Sequence, residues 1–255
     1  MQSYTDTPTN PWLVRPNPRS KPTLRLFCLP FAGSGAAPFR PWAQLLPPHI
    51  ELCILQLPGR ETRLRETPYT DITSLVAALT TAITPALNLP YALFGHSMGT
   101  LVAFELTRAL QRHKQAAPTH LFVSGRRAPQ LPDPEAPISQ LADGLFVREM
   151  VRRYNAIPKV ILDDEEMLRI FLPTLRADLD VLESYVYTEA APLDCPITAF
   201  GGMDDSRASR GDLAAWRVQT RQSFQLQLFP GDHFYLNPQR ENLVAQIIEI
   251  LMSMV

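Results

Sequence analysis

The chain of 255 residues has no excess of either charge: 24 Lys and Arg stand against 25 Asp and Glu, a net −1. A broad electrostatic pull on nucleic acid or anionic lipid needs clustered cations facing phosphates, so neither partner is expected. Cysteine is scarce. Cys28, Cys53 and Cys195 are odd in number and widely spaced with no CxxC, which excludes a disulfide framework or a zinc cluster, and no metal is expected. Cys28 and Cys53 sit inside apolar runs and read as packed thiols. No apolar run approaches the roughly 20 residues that span a bilayer. The N-terminus, "MQSYTDTPTNPWLVRPNPRSKP", is polar and proline-rich rather than signal-like, so a cytoplasmic protein is expected. Neither GxGxxG nor GxxxxGK[ST] occurs, which removes the usual phosphate-cradling loops. Internal repeats are absent as well.

What is present is an alternation of short apolar runs with helical patterns. "LRLFCL" (24 to 29), "IELCIL" (50 to 55), "YALF" (91 to 94), "HLFVS" (120 to 124) and "PITAF" (196 to 200) read as strands. Their residues are apolar nearly throughout rather than at every second position, as in parallel strands covered on both faces. Helical spacing follows Gly95, with Met98, Val102, Leu106 and Leu110 on one face, and returns in the C-terminal "ENLVAQIIEILMSMV". The pattern predicts a single α/β domain over 1–255 built on a doubly wound, mostly parallel sheet. Residues 1–22, with Pro8, Pro11, Pro16, Pro18 and Pro22, are expected to form an extended arm, with Trp12 pinning it to the body. Residues 126–190 break the alternation. They hold two helical patterns and no strand, which predicts a helical lid over the sheet's edge, the alternative being an ordinary pair of packing helices. In the second pattern Asp163 or Asp164 is placed to cap, and Met167, Phe171, Leu175 and Leu179 share a face.

Gly95-His96-Ser97-Met98-Gly99 fits G-x-S-x-G, a strained strand-to-helix turn that exposes one serine hydroxyl. The bare pattern arises by chance in on the order of one chain in ten of this length. Its setting between an apolar run and an amphipathic helix is far more specific. A serine needs a base to take its proton and an acid to orient that base, and in this arrangement the chain order is Ser, acid, His. Of five histidines, His49 precedes the serine, His96 adjoins it, and His113 and His120 come before the later strands. That leaves His233, in "FPGDHFYL" between the alternating run "FQLQLF" and the last helix. "PITAFGGMDDSR" supplies the acid, with Asp205 the first choice and Asp204 the second; Asp232 is read as a turn-shaping residue.

The tetrahedral oxyanion requires two backbone N–H donors, each worth about 3 kcal/mol. One is expected from Met98. The other is expected from "LPFAGSGAAPF" (29 to 39), with Ala32 first and Phe31 second.

The order and content of the blocks "LFCLPFAGSGAAPFRPW", "LQLPGRETRLRE", "LFGHSMGTLVAFEL", "LFVSGRRAPQLP", "FLPTLRADLDVLESYVY", "PLDCPITAFGGMDD" and "FPGDHFYL" resemble the type II thioesterases of nonribosomal peptide and polyketide synthases, relatives of fatty-acid-synthase thioesterase II. The resemblance covers nearly the whole chain. It implies an α/β-hydrolase fold with a helical lid, and hydrolysis of acyl or aminoacyl thioesters from the phosphopantetheine arm of carrier proteins, without a cofactor. It implies Ser97 as nucleophile, His233 as base, Asp205 as acid, and the Phe31-Ala32 region with Met98 as oxyanion donors. Arg60 and Arg63 in "PGRETR" and Arg126 and Arg127 in "SGRR" are candidates for the arm's phosphate or an acidic carrier surface, against a reading as solvated or ion-paired arginines. Two positions depart from the family: Ser34 replaces a second glycine near the oxyanion loop, and Ala156 replaces a glycine in the lid. A monomer is expected. The rival readings are a carboxylesterase or lipase with the same three residues, an acyltransferase, and a binding module, which would predict a broken triad.

Overall fold

Strands β2 (Leu24–Leu29), β3 (Ile50–Leu55), β4 (Tyr91–His96), β5 (His120–Ser124), β6 (Ile197–Gly202) and β7 (Phe224–Phe229) are the apolar runs, and they pair in parallel in the order β3-β2-β4-β5-β6-β7. The computed structural model describes residues 10–154 and 157–253. Along β2, Phe27 and Leu29 pack into one layer, while Leu26 and Cys28 pack into the other. The first layer holds helices α1 (Ile72–Ile83) and α2 (Met98–Arg112); the second holds α7 (Arg240–Met252) and a 3₁₀ helix at Ala37–Gln44. Burial on both faces is why these strands lack a polar alternation. Only β7, at the sheet's edge, alternates.

The arm differs from its expectation by one element. Leu13–Val14 form β1, antiparallel to β3, because the outer edge of β3 offers unpaired backbone groups. Trp12 closes the edge: its carbonyl accepts from the Gln56 N–H at 2.9 Å, and its ring lies 4.1 Å beneath the Arg63 guanidinium. Pro8 and the rest of the first nine positions lie outside the described residues.

Between β5 and β6 stand α3 (Asp143–Tyr154), α4 (Lys159–Leu162) and α5 (Glu165–Glu183), with α6 (Arg210–Ala214) following β6. Asp164 caps α5 by accepting from the Glu166 and Met167 N–H groups. The lid helices have a core of their own, centred on Phe146, Met150, Leu172, Leu175 and Leu179. The predicted stripe on α5 is buried only in its second half; Met167 is 44% exposed. Ala156 lies outside the described residues.

His120 shows what full burial does to a titratable group. It stacks 4.4 Å from Phe122 and meets Thr198 Oγ1 at 2.8 Å, and burial lowers its pKa to about 4. The unfolded chain, with an ordinary histidine near 6.5, binds this proton first. Stability is therefore full above about pH 6.5 and falls as the pH drops toward 4, by about 3 kcal/mol from this residue. Urea midpoints should fall between pH 7 and pH 4.5, and His120→Asn should flatten that slope.

Candidate active site

The turn at Ser97 is held by exclusion of side chains on either side. A Cβ at Gly95 would stand 2.1 Å from the Gly99 carbonyl oxygen, and one at Gly99 would stand 2.2 Å from that of Leu29. Only glycine lets α2 start so close to the ends of β4 and β2. Ser97 itself sits at φ 53°, ψ −113°, a strained conformation for an L-residue. Two bonds to β5 secure it: the Ser97 N–H donates to the Ser124 carbonyl at 2.8 Å, and Thr100 Oγ1 donates to the same carbonyl at 2.8 Å.

His233 reaches this serine from the loop after β7. Its Nε2 lies 3.0 Å from Ser97 Oγ and its Nδ1 lies 2.8 Å from Asp205 Oδ2. All three residues are buried. A carboxylate oxygen can only accept, so Nδ1 carries the proton and Nε2 presents its lone pair to the Ser97 hydroxyl. Asp205 is fixed at its other oxygen, which accepts from the Arg207 N–H at 2.8 Å. Asp204 is exposed and makes no side-chain bond to this group; its N–H donates to the Gly231 carbonyl. Asp232 turns the loop by accepting from the Phe234 N–H at 2.8 Å.

Behind His233 stands His96, fully buried with ring centroids 5.1 Å apart. Its Nδ1 bonds Ser124 Oγ at 2.8 Å, which in turn bonds the Tyr235 hydroxyl at 2.6 Å. Burial, and then the nearby charge of His233, hold the His96 pKa well below the ordinary histidine value, so it stays neutral. It is a packed neighbour of His233.

Neither the Ala32 N–H nor the Met98 N–H has an acceptor among the described residues; Ala32 lines the serine's chamber, and Met98 follows Ser97 at the first position of α2. The next amide in the loop, Gly33, is occupied: it donates to Asp178 Oδ2 at 2.7 Å. Asp178 comes from α5, and Arg60 grips both of its oxygens at 2.6 and 2.8 Å. Helix α5 is thus bolted to the loop that follows β2 through a buried carboxylate. Sequence reading missed Asp178, although a carboxylate three residues after Leu175 on the buried face of a helix was a signal that a buried cation must answer it.

This changes the reading of Arg60. It is not a carrier contact: it is buried, its charge is taken by Asp178, and its further donors go to the Pro58 and Ser34 carbonyls. Ser34, the departure in this loop, accordingly has its carbonyl tied down. Arg127 is likewise engaged internally, with Asp212 Oδ1 at 2.7 Å and the Pro132 carbonyl at 2.6 Å. Arg126 differs. Its guanidinium has no hydrogen-bond partner among the described residues and lines a cavity of about 440 Å³. Phe31 serves as wall, edge-on to Phe234 at 5.1 Å and to His96 at 5.8 Å.

Asp178→Ala should therefore lower stability by about 3–5 kcal/mol, the cost of stranding a buried charge. Urea unfolding of the variant measures this; a loss below about 1 kcal/mol would mean that Arg60 finds another partner.

The chamber at Ser97 is nearly shut, about 10 Å³, closed by Met150, Tyr154, Leu179 and Leu182 of the lid. The Tyr154 ring stands 5.6 Å from that of His233 and 5.0 Å beneath the Arg207 guanidinium. Tyr154 was not singled out from the sequence, since nothing local marks a side chain that approaches the site from an inserted segment.

A buried serine, histidine and aspartate beside two free amides is an arrangement for acyl transfer, and the thioesterase domain model matches residues 24–251. The chain belongs to the thioesterase family. Over 235 residues, 92% of this chain and 91% of the relative, it is 44% identical to the gramicidin S biosynthesis protein GrsT of Aneurinibacillus migulanus. The RedJ thioesterase of the prodiginine pathway in Streptomyces coelicolor superposes with a TM-score of 0.84 at 39% identity, covering 91% of this chain and 94% of RedJ. The type II thioesterase BorB of the borrelidin cluster does so with a TM-score of 0.85 at 34% identity, covering 93% and 96%. The fold is accordingly that of the α/β-hydrolases, and the enzyme is a thioester hydrolase. Among the described residues no helix is long and apolar enough to cross a membrane.

Proposed function

We propose that this chain is a stand-alone type II thioesterase that acts in the cytoplasm as a monomer. In this reading it removes stalled or aberrant acyl or aminoacyl groups from the phosphopantetheine arm of carrier proteins in a peptide or polyketide synthase. One observation carries the chemistry: the hydrogen-bonded line from Ser97 through His233 to Asp205, beside the free amides of Ala32 and Met98. The full-length similarity to GrsT and BorB supports the setting.

Ser97 Oγ attacks the thioester carbonyl while His233 Nε2 takes its proton. The carbonyl oxygen becomes an oxyanion between the two amides, at the N-terminus of α2, where the helix dipole favours negative charge. Collapse breaks the carbon–sulfur bond, and the His233 imidazolium returns the proton to the departing sulfur. Water, deprotonated by the same nitrogen, then attacks the Ser97 ester; the carbon–Oγ bond breaks, the acid leaves, and Nε2 returns the proton to Ser97 Oγ. Asp205 keeps the proton on Nδ1 throughout, so that Nε2 is free to accept. Every reacting group is supplied by one chain, and the steps use only these groups and water. The chamber of about 10 Å³ has room for about one water, so admission of a thioester requires the side chains of Met150, Tyr154, Leu179 and Leu182 to move.

The test is the release of acetyl and aminoacyl groups from a phosphopantetheinylated carrier protein, beside the matching N-acetylcysteamine thioesters and p-nitrophenyl esters. Faster release from the carrier is expected. Equal or better turnover of the free oxygen esters would make the chain a general esterase, and a preference for added alcohols or amines over water would make it an acyltransferase.

A further inference from the structure

Two large cavities flank the closed chamber at Ser97, and their chemistry differs. The first, about 440 Å³, shares Tyr154, Leu179 and Leu182 with the chamber and is lined on its far side by Arg126, Gln130 and Tyr187. The second, about 450 Å³, shares Phe31 and Ala32 with the chamber and continues along Leu64, Met167, Ile170 and Phe171.

Charge in the second cavity is already answered from within. Arg60 is bound by Asp178, and Glu61 pairs with Arg40 at 3.2 Å. What remains is an apolar surface with exposed Leu64, Met167 and Ile170 at its rim. Most of the first cavity's charges are also paired: Arg127 with Asp212, Arg153 with Glu149, and Glu183 with the Ile138 and Ser139 N–H groups. Arg126 is the exception among the described residues. Burial disfavours its charge and Asp133 offsets only part of that without hydrogen-bonding it, so an unpaired guanidinium partly out of water wants an oxygen acceptor.

The reaction dictates which half of a thioester faces which cavity. The leaving sulfur must lie within reach of His233 Nε2, since that nitrogen returns the proton. The oxyanion occupies the Ala32 and Met98 amides. The remaining substituent on the tetrahedral carbon, the acyl group, is then directed away from His233, along the Phe31–Gly33 loop. His233 abuts Tyr154, the wall it shares with the Arg126 cavity.

The geometry assigns the Arg126 cavity to the thiol-bearing arm, with Arg126 donating to an amide or phosphate oxygen of that arm, and the apolar cavity beside Phe31 and Ile170 to the acyl chain. This rests on the thioesterase reading above and adds the direction in which the substrate lies.

The test uses acyl chains from two to eight carbons on three thiols of increasing length: N-acetylcysteamine, pantetheine and phosphopantetheine. Arg126→Gln should shrink the kcat/KM advantage of the longer thiols on the order of tenfold, equally for every acyl chain. A loss between pantetheine and phosphopantetheine places the phosphate at Arg126, and a loss between N-acetylcysteamine and pantetheine places an arm amide there. Ile170→Trp, at a position 52% exposed and so tolerant of change, should shift the acyl preference toward shorter chains by a factor common to all three thiols. The reverse pattern, with Arg126→Gln changing acyl-length preference or Ile170→Trp changing thiol preference, would overturn the assignment, as would unchanged ratios in both. Failure of the wild type to hydrolyse any of these thioesters would instead sink the thioesterase reading.

Discussion

Ser97→Ala is expected to abolish thioester hydrolysis, with kcat falling on the order of 10⁶, the scale seen when a serine hydrolase loses its nucleophile. The residual rate should not be zero, because the Ala32 and Met98 amides still polarise a bound carbonyl for attack by water. Stability should move by no more than about 1 kcal/mol. The hydroxyl deleted makes a single bond, to His233 Nε2, and the backbone strain at φ 53° is the same for alanine as for serine. That separation matters, because a variant that unfolds would lose activity for an uninformative reason. Intact-mass measurement during turnover supplies the second readout: the wild type should carry an acyl adduct on the peptide containing Ser97, and the variant none. A variant that keeps even a tenth of wild-type kcat, folded and without contaminating hydrolase, would remove Ser97 from the role of nucleophile.

How far such a site can be seen in a sequence depends on whether its parts are local. The parallel strands were legible because burial on both faces makes "LRLFCL" or "IELCIL" apolar at nearly every position. The elbow was legible because two glycines and a serine must be consecutive in the chain to make one tight turn. His233 followed from chain order among five histidines, and Asp205 from its place after a strand, although the neighbouring Asp204 remained an alternative until the geometry separated them. The bolt between Asp178 and Arg60 was a different matter. Its members are 118 positions apart, and although the place of Asp178 on the apolar face of α5 calls for a cation, nothing local names Arg60 as that cation. β1 was missed because two residues are too few for any periodicity, and it exists only because β3 has an open edge. The stripe on α5 showed the right face but not its purpose: Met167 and Phe171 border a cavity, whereas Leu175 is packed. Periodicity reports which residues share a face, and only tertiary structure decides what that face meets.

The two adjacent aspartates allow a sharper experiment than either could alone. Asp205→Asn should lower kcat on the order of 10⁴. An amide in place of the carboxylate can offer an N–H to His233 Nδ1, which then holds its proton on Nε2, where it blocks acceptance from Ser97. The bond from the Arg207 N–H to the other Asp205 oxygen can persist to the Asn carbonyl, so the loop should keep its course. Asp204→Asn removes the same charge one residue away, from an exposed side chain with no bond to the triad, and should change kcat less than about twofold. If Asp205 acted only through the negative field it casts on the His233 imidazolium, the two neutralisations would differ modestly, since long-range Coulomb terms fall off slowly with distance. A gap on the order of 10³ or more cannot come from the field of one charge displaced by a residue. It requires the 2.8 Å hydrogen bond that sets which nitrogen of His233 carries the proton. Equal losses at both positions would reduce Asp205 to an electrostatic neighbour, and a larger loss at Asp204 would make that residue the acid.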